Sequence, residues 1–286
     1  MRELNYTRKG EPVLVRTILK EYFGFSKGTI TNLKESNGIF VNGELVTVRK
    51  EMRENDVLTV RIKDEKSENI VPVEMELDII FEDEDLLAVN KPSGMATHPS
   101  LNHYTDTLAN GVCYKYKDKN FTFRAVNRLD LETSGIVLIA KNRNSAHKLG
   151  EQLKAGQIQK VYYALCEGKF SEKEGIIDAP IARKSESMIL RHIHVNGKYA
   201  VTEYKVINEY ENTSLLEVRP KTGRTHQIRV HFSYMGHPIS GDPLYGTKIE
   251  NERLMLHCGK MIFHHPVTGE CVELSAKISN QFFEKL

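Results

Sequence analysis

The run Gly135-Ile136-Val137-Leu138-Ile139-Ala140 is apolar throughout, and it follows directly on Asn127-Arg128-Leu129-Asp130-Leu131-Glu132-Thr133-Ser134, the densest polar constellation in the chain. A strand that is apolar on both faces must be covered on both, which places it near the centre of a sheet. Proteins that mix strands and helices put their sites on polar loops at the ends of such buried strands. Asp130 and Thr133 are also residue types that cap turns, a role that needs no chemistry. Residue type alone leaves both readings open.

The surrounding pattern alternates short strands with helices. Residues 85–90 form an apolar strand that ends at the turn composition Lys91-Pro92-Ser93-Gly94. Ala146, Leu149 and Leu153 recur at helical spacing, with Gly156 placed to stop the helix. Further strands are expected around 161–166, 200–207 and 214–218. Residues 71–286 therefore read as one α/β (α+β) domain of catalytic size.

Ahead of it, the charged stretch Lys63-Asp64-Glu65-Lys66-Ser67-Glu68-Asn69 has no apolar residue and reads as a linker over 63–70. Residues 1–62 form a separate unit of about the minimum size that folds alone. Its run from Val13 to Leu19 can place apolar residues on one helical face, and Ser26-Lys27-Gly28 can open a second helix through Ile30 and Leu33. Gly38-Ile39-Phe40-Val41-Asn42-Gly43-Glu44 then reads as a strand entering an Asn-Gly hairpin turn. Element order and the strings Ser-Lys-Gly, Gly-Ile-Phe-Val-Asn-Gly and Glu-Asn-Asp-Val-Leu resemble the S4 family of RNA-binding domains. The resemblance implies that the helices offer Lys20, Lys27 and Lys34 to an RNA backbone. Lysines on a solvated helix face need no such partner.

Composition removes several classes of function. A chain of 286 residues with a formal charge of +2 and a pI near 8.2 is too nearly neutral to be identified as a nucleic-acid binder by bulk charge. Any RNA partner must be argued from local charge. Cys113, Cys166, Cys258 and Cys271 are widely spaced, with no Cys-x-x-Cys pair. The set His257, Cys258, His264 and His265 lacks the paired spacing of a zinc site. No Gly-rich nucleotide loop occurs. Neither metal nor organic cofactor is expected. The opening residues lead into no apolar signal core, and no stretch approaches the roughly 18 apolar residues that span a bilayer. The expectation is a cytoplasmic protein without a membrane partner.

A second constellation, Lys221-Thr222-Gly223-Arg224-Thr225-His226-Gln227-Ile228-Arg229-Val230-His231, opens a helix on which Ile228, Phe232 and Met235 share one face. Thr225 is the expected N-cap and Gly236 the stop. Arg229 lies one turn inside, away from the apolar stripe, and a partly buried arginine requires an anionic partner. Any nearby Asp or Glu would satisfy it.

Four strings, Asn-Lys-Pro-Ser-Gly-Met-Ala-Thr-His-Pro, Arg-Leu-Asp-Leu-Glu-Thr-Ser-Gly, Thr-Gly-Arg-Thr-His-Gln-Ile-Arg-Val-His and Gly-His-Pro-Ile-Ser-Gly-Asp-Pro-Leu-Tyr-Gly, occur in that order. Together they resemble the RluA family of pseudouridine synthases, in its branch acting on large-subunit ribosomal RNA, where an S4 domain commonly precedes the catalytic one. The resemblance covers nearly the whole chain and implies a mixed, largely antiparallel sheet. It makes Asp130 the catalytic aspartate and Arg229 the arginine paired with it. Tyr162 looks like the tyrosine beside the uracil ring, and Leu256 like the apolar residue on its other side. Arg128 looks like the arginine that enters the RNA stack when the base is extruded. The chain departs from many relatives at Asn127, where they carry His, which puts substrate contacts in doubt more than activity.

The residue types suit that chemistry. A glycosidase needs two carboxylates, whereas an isomerase that keeps both fragments can work with one, as nucleophile or as base. A cation must keep that carboxylate ionised and oriented, which Arg229 can do through a bidentate contact. Base extrusion costs a few kcal/mol and is offset when a side chain fills the gap and an aromatic ring receives the base. Period 2 puts Lys160 and Tyr162 on one strand face, so Lys160 can meet phosphate near the ring. Arg183, Lys184, Arg191, His192, His194 and Lys198 cluster between two strands and could grip backbone as well. The expected partner is structured RNA, ribosomal first and transfer RNA second, bound by a monomer. The alternative is a catalytically silent S4-type RNA-binding or ribosome-assembly protein, which would have no need to keep Asp130, Tyr162 and Arg229 together.

Overall fold

The computed structural model describes residues 2–62, 69–184, 189–246 and 253–278. Most of the expected linker, 63–68, lies outside them. The first unit runs β1 (Arg2–Thr7), β2 (Val13–Leu14), α1 (Val15–Glu21), α2 (Lys27–Glu35), β3 (Ile39–Val41), β4 (Glu44–Leu45), β5 (Glu51–Met52) and β6 (Val57–Ile62). The Ser26 side chain accepts from the Thr29 amide and starts α2 as expected. Asn42 and Gly43 have φ of 52° and 83°, the left-handed pair that a two-residue turn between β3 and β4 demands. The first helix starts later than its apolar pattern suggests, because Val13 and Leu14 pair with Met52 and Glu51. Strand order is β1-β6-β3-β4, and α1 and α2 close one face of that sheet around Leu19, Leu33, Met52 and Leu58. This core is separate from the larger one that follows. Lys20, Lys27 and Lys34 all lie exposed on α1 and α2.

The second unit runs β7 (Ile79–Glu82), β8 (Leu86–Lys91), α3 (Leu108–Lys115), β9 (Ser134–Ala140), α4 (Arg143–Lys154), β10 (Gln159–Glu167), β11 (Glu174–Asp178), β12 (Ile181–Arg183), β13 (Arg191–Ile193), β14 (Val201–Glu209), β15 (Thr213–Pro220), α5 (Gln227–Tyr234), β16 (Leu256–His264) and β17 (Cys271–Ser275). The main sheet has the order β11-β14-β15-β10-β16-β9-β8-β7, with β17 added to β16. The fold is thus mixed α/β with a largely antiparallel sheet. As its composition requires, β9 is buried at every position and sits inside the sheet. Among the described residues no helix is long and apolar enough to cross a membrane.

One junction breaks the antiparallel rule. β9 and β16 run parallel, with Ser134 opposite His257 and Gly135 opposite Cys258. Gly135 has φ of +112°, and a Cβ there would lie 2.3 Å from the Cys258 carbonyl oxygen. Only glycine allows the two backbones to meet. The strand β9 therefore begins where the polar loop ends, pressed against the strand that carries Leu256.

Two expectations need correction. The basic stretch expected between two strands is itself partly strand, since β12 and β13 form a two-stranded ribbon pairing Arg183 with Arg191 and Ala182 with His192. Its residues 185–188 lie outside the described residues. The start of α5 is His226, one residue later than expected, in a left-handed conformation with φ of 57°. Gly236, at φ +81°, follows the helix as expected.

Candidate active site

One cleft brings together Arg128, Asp130, Thr133, Lys160, Tyr162, Arg224, His226, Arg229 and Leu256. Six residues expected from the sequence to serve catalysis or substrate binding, Asp130, Arg229, Tyr162, Arg128, Leu256 and Lys160, all line it. They arrive from the loop before β9, from β10, from the start of β16 and from α5. Asp130 is the only carboxylate among the described residues lining the cleft.

The loop carrying Asp130 is clamped through its own main chain. Lys91 is fully buried, and its Nζ donates to the carbonyls of Pro92, Met95 and Leu131 at 2.8, 2.7 and 3.2 Å. Ser93 Oγ donates to the Glu132 carbonyl at 2.6 Å, and the Gly94 amide to the Leu131 carbonyl at 3.0 Å. Thr97 Oγ1 donates to the Leu129 carbonyl at 3.0 Å. The string Asn-Lys-Pro-Ser-Gly-Met-Ala-Thr thus holds both flanks of Asp130 in place. Burial pulls the Lys91 ammonium down to about 7, against the opposing charges of Asp130 and Glu132. Asn127 is a further anchor: its side chain donates to the Ile136 carbonyl at 3.0 Å and accepts from the Leu138 amide at 2.9 Å. Both ends of the Asn127 amide thus serve β9.

The pairing expected of Arg229 also needs correction. Its Nε and Nη2 donate to the two carboxylate oxygens of Asp242 at 2.8 and 2.6 Å, with both residues buried. The fork closes on Asp242 rather than on Asp130, because the Gly-Asp-Pro-Leu-Tyr turn carries Asp242 in beneath α5. Asp242 Oδ1 also accepts from the amides of Leu244 and Tyr245. The Arg229 guanidinium lies 5.2 Å from the centre of the Tyr245 ring. Burial works against its charge, but the Asp242 contact and the Asp130 charge raise its pKa overall. Arg229 is a fixed positive charge lining the same cleft as Asp130.

Tyr162 is buried in β10, opposite Cys258 of β16 and Val218 of β15. Burial first, then Cys258 and the Asp130 charge, hold its phenol well above its ordinary range. It can offer a ring face and an O–H, and it has no accessible phenolate. Lys160, two residues earlier, shares the cleft as its period-2 spacing predicts, and burial lowers its pKa. Arg128 is exposed and donates through Nη2 to Thr225 Oγ1 at 3.1 Å, spanning the cleft mouth.

Two grooves continue the cleft over the surface. One is lined by Arg183, Arg191 and Lys198 of the ribbon region together with Arg224. The other is lined by Arg128, Lys154, Lys160, Arg219, Lys221 and Arg224, with no carboxylate among its described lining residues. The basic stretch expected to grip RNA therefore adjoins the site.

His257, Cys258, His264 and His265 do not converge. His257 Nδ1 is 2.9 Å from Ser134 Oγ, while His265 Nε2 is 2.9 Å from Asp83 Oδ2. Burial pushes the Cys258 thiol up to about 11 and His257 down to about 4. The carboxylates of Asp83 and Asp85, near His265, already accept from Asn142, Ser145 and main-chain amides.

Lys91, His226, Asp242 and Tyr245 carry roles that the sequence reading leaves unassigned. Each stands inside one of the four strings, so the signal was present without a partner to explain it.

A sequence model described as RNA pseudouridylate synthase matches residues 85–234, the span from β8 to α5. The RNA pseudouridine synthase YjbO of Bacillus subtilis is 38% identical over 268 residues, covering 91% of this chain and 95% of its own. The ribosomal large subunit pseudouridine synthase D of Pasteurella multocida is 32% identical over 278 residues, covering 91% and 86%. The structure of human RNA pseudouridylate synthase domain containing 1 superposes with a TM-score of 0.61 at 30% identity, over 71% of this chain and 84% of that one. The chain belongs to the RNA pseudouridylate synthase family: it is an isomerase that forms pseudouridine in RNA.

Proposed function

We propose that this enzyme isomerises specific uridines in structured RNA within the cytoplasm, acting as a monomer and without a cofactor, with large-subunit ribosomal RNA as its first substrate and transfer RNA as the second. The observation that carries the site assignment is Asp130, the single carboxylate among the described lining residues of a cleft with several basic side chains, beside a buried aromatic ring. The ribosomal substrate is supported by relatives named ribosomal large subunit pseudouridine synthase D. Four free cysteines support a reducing compartment.

In this reading the uridine leaves its stack, Arg128 takes the vacated position and the uracil enters between Tyr162 and Leu256. Asp130 acts on the sugar, as nucleophile or as base. The N1–C1′ bond breaks, the uracil turns, C5 joins C1′, and the C5 hydrogen leaves as N1 is protonated. No water is consumed, which is why one carboxylate suffices. Arg229, anchored on Asp242, supplies a fixed positive charge in the same cleft as the reacting carboxylate. Lys160 meets a flanking phosphate or the base edge. The first unit acts as an S4-type module, with Lys20, Lys27 and Lys34 on the RNA backbone.

The deciding experiment is tritium release from RNA labelled at uridine C5. Asp130→Asn should abolish release while RNA binding changes little. Comparable turnover in that variant would remove Asp130 from its role.

A further inference from the structure

The turn between β8 and α3 displays side chains that no role above uses. A groove lined by His98, Pro99, Ser100 and His103 adjoins the catalytic cleft, and the two share Arg128, Leu129 and Asp130. The turn is held at both ends. The Leu108 and Ala109 amides donate to the carbonyls of Ala96 and Thr97 at 2.9 and 3.2 Å, and Thr97 Oγ1 donates to the Leu129 carbonyl. Ser100 and His103 then exchange two main-chain hydrogen bonds of 2.9 Å, with Asn102 between them at φ of 68°.

What this fixed turn presents to solvent is largely apolar. The His98 ring is exposed, yet it packs edge-to-face on buried Phe123, with centres 5.0 Å apart and planes at 79°. Leu101 and Tyr104 are 78% and 64% exposed. One exposed apolar side chain needs no explanation, but several on one short turn beside a binding cleft mark a contact surface. Burial of part of the His98 ring, followed by the charge of Arg128, lowers its pKa, so the imidazole is uncharged at neutral pH.

Charge identifies what such a surface fits. Residues 96–107 contain no lysine or arginine, and His103 is engaged by Asp106, with Nδ1 2.7 Å from Oδ2. The turn therefore lacks the means to grip phosphate that the two basic grooves possess. RNA offers a protein its charged backbone and, where it is unpaired, the flat faces of its bases, which stack on aromatic and imidazole rings. The nucleotides on either side of a target uridine are each one phosphodiester away from it. They must cross the margin of the cleft, and this turn is part of that margin.

We propose that residues 96–104 form a base-stacking platform, on which an unpaired base next to the target uridine lies against the His98 ring while Leu101 and Tyr104 cover the nucleotide beyond. The uridines that this enzyme selects then lie in loops or bulges rather than within uninterrupted duplex. The inference rests on the cleft being where the uridine is received.

Ultraviolet cross-linking of the full-length enzyme to total RNA from cells lacking the protein tests the platform with no variant. Peptide–nucleotide adducts should fall within residues 96–104. The attached nucleotide should neighbour a uridine that pseudouridine mapping shows to be modified only when the protein is present. Kinetics on the same RNA, labelled at uridine C5, test the ring itself. His98→Ala should raise KM about ten-fold, within the scale of one base–aromatic stack, with a smaller effect on kcat. His98→Phe keeps a flat ring and should recover most of that loss.

Adducts confined to other segments of the enzyme, adducts at nucleotides remote from the modified uridine or inside continuous duplex, or Phe performing no better than Ala would each overturn the proposal. Asp130→Asn is cross-linked in parallel. If that variant keeps its turnover while the adducts form, the carboxylate assignment fails and the platform stands. If turnover depends on Asp130 and the adducts are missing from 96–104, the platform alone fails.

Discussion

Arg229 and Asp242 face each other through two hydrogen bonds of 2.8 and 2.6 Å, at 3% and 0% side-chain exposure. A buried pair of this kind is costly to break, because removing one partner leaves an uncompensated charge. Asp242→Asn should therefore destabilise the protein by roughly 3 kcal/mol, read by urea denaturation. Arg229→Lys keeps the charge but loses the planar fork, and turnover at saturating RNA should fall by about a hundred-fold. Near-normal turnover in Arg229→Lys would mean that charge alone is enough.

Gly135 offers a test of the parallel junction. Its φ of +112° and the 2.3 Å approach of the Cys258 carbonyl leave no room for a methyl group. Gly135→Ala should cost more than about 3 kcal/mol, through backbone strain and displacement of β16. Soluble yield and melting temperature would report it. An alanine variant melting within a few degrees of wild type would show that β9 and β16 separate easily.

The buried ammonium of Lys91 predicts a pH dependence. Its folded pKa is about 7, whereas an unfolded lysine titrates near 10.4. Below pH 7 both states carry the proton. Between about 7 and 10 the unfolded chain binds a proton that the folded chain has lost, so this group's contribution to stability rises with pH. Lys91→Met should remove that rise. The difference in unfolding free energy between wild type and variant, measured at pH 7 and pH 9.5, isolates it from other titrating groups. A flat difference would mean that the three carbonyls keep Lys91 charged throughout.

Deletion of residues 1–62 tests the first unit. Its exposed Lys20, Lys27 and Lys34 are few, so their contribution should come from phosphate contacts and weaken with salt. The truncated enzyme should show an apparent KM about ten-fold higher at moderate salt, with little change in turnover at saturation. A loss of turnover instead would mean that the unit helps to build the site.

Local signals carried much of this architecture into the sequence. Uniform apolarity marked β9, the Ser26 cap marked α2, and Asn42-Gly43 marked the hairpin, each within a few residues. The pairing of β1 with β6 was not legible, because it joins residues 50 to 60 positions apart. The same limit applies at the site. Burial of Arg229 demanded an anion, but nothing local distinguished Asp242 from Asp130. Lys91 read as part of a turn, since its acceptors are carbonyls, which every residue possesses. The left-handed backbone at His226 leaves no mark in composition, because Thr225 is an equally good residue to begin a helix.

The parallel meeting of β9 with β16 also dictates when the enzyme becomes competent. Ser134 and His257 are 123 residues apart in sequence and 2.9 Å apart in space. During synthesis the aspartate loop emerges long before the strand that must lie against it, and at about 5–20 residues per second the interval is several seconds or more. A nascent chain that ends before Leu256 holds Asp130 but not the β16 side of the cleft. The cleft is thus completed only after β16 has been made, well after the aspartate loop itself.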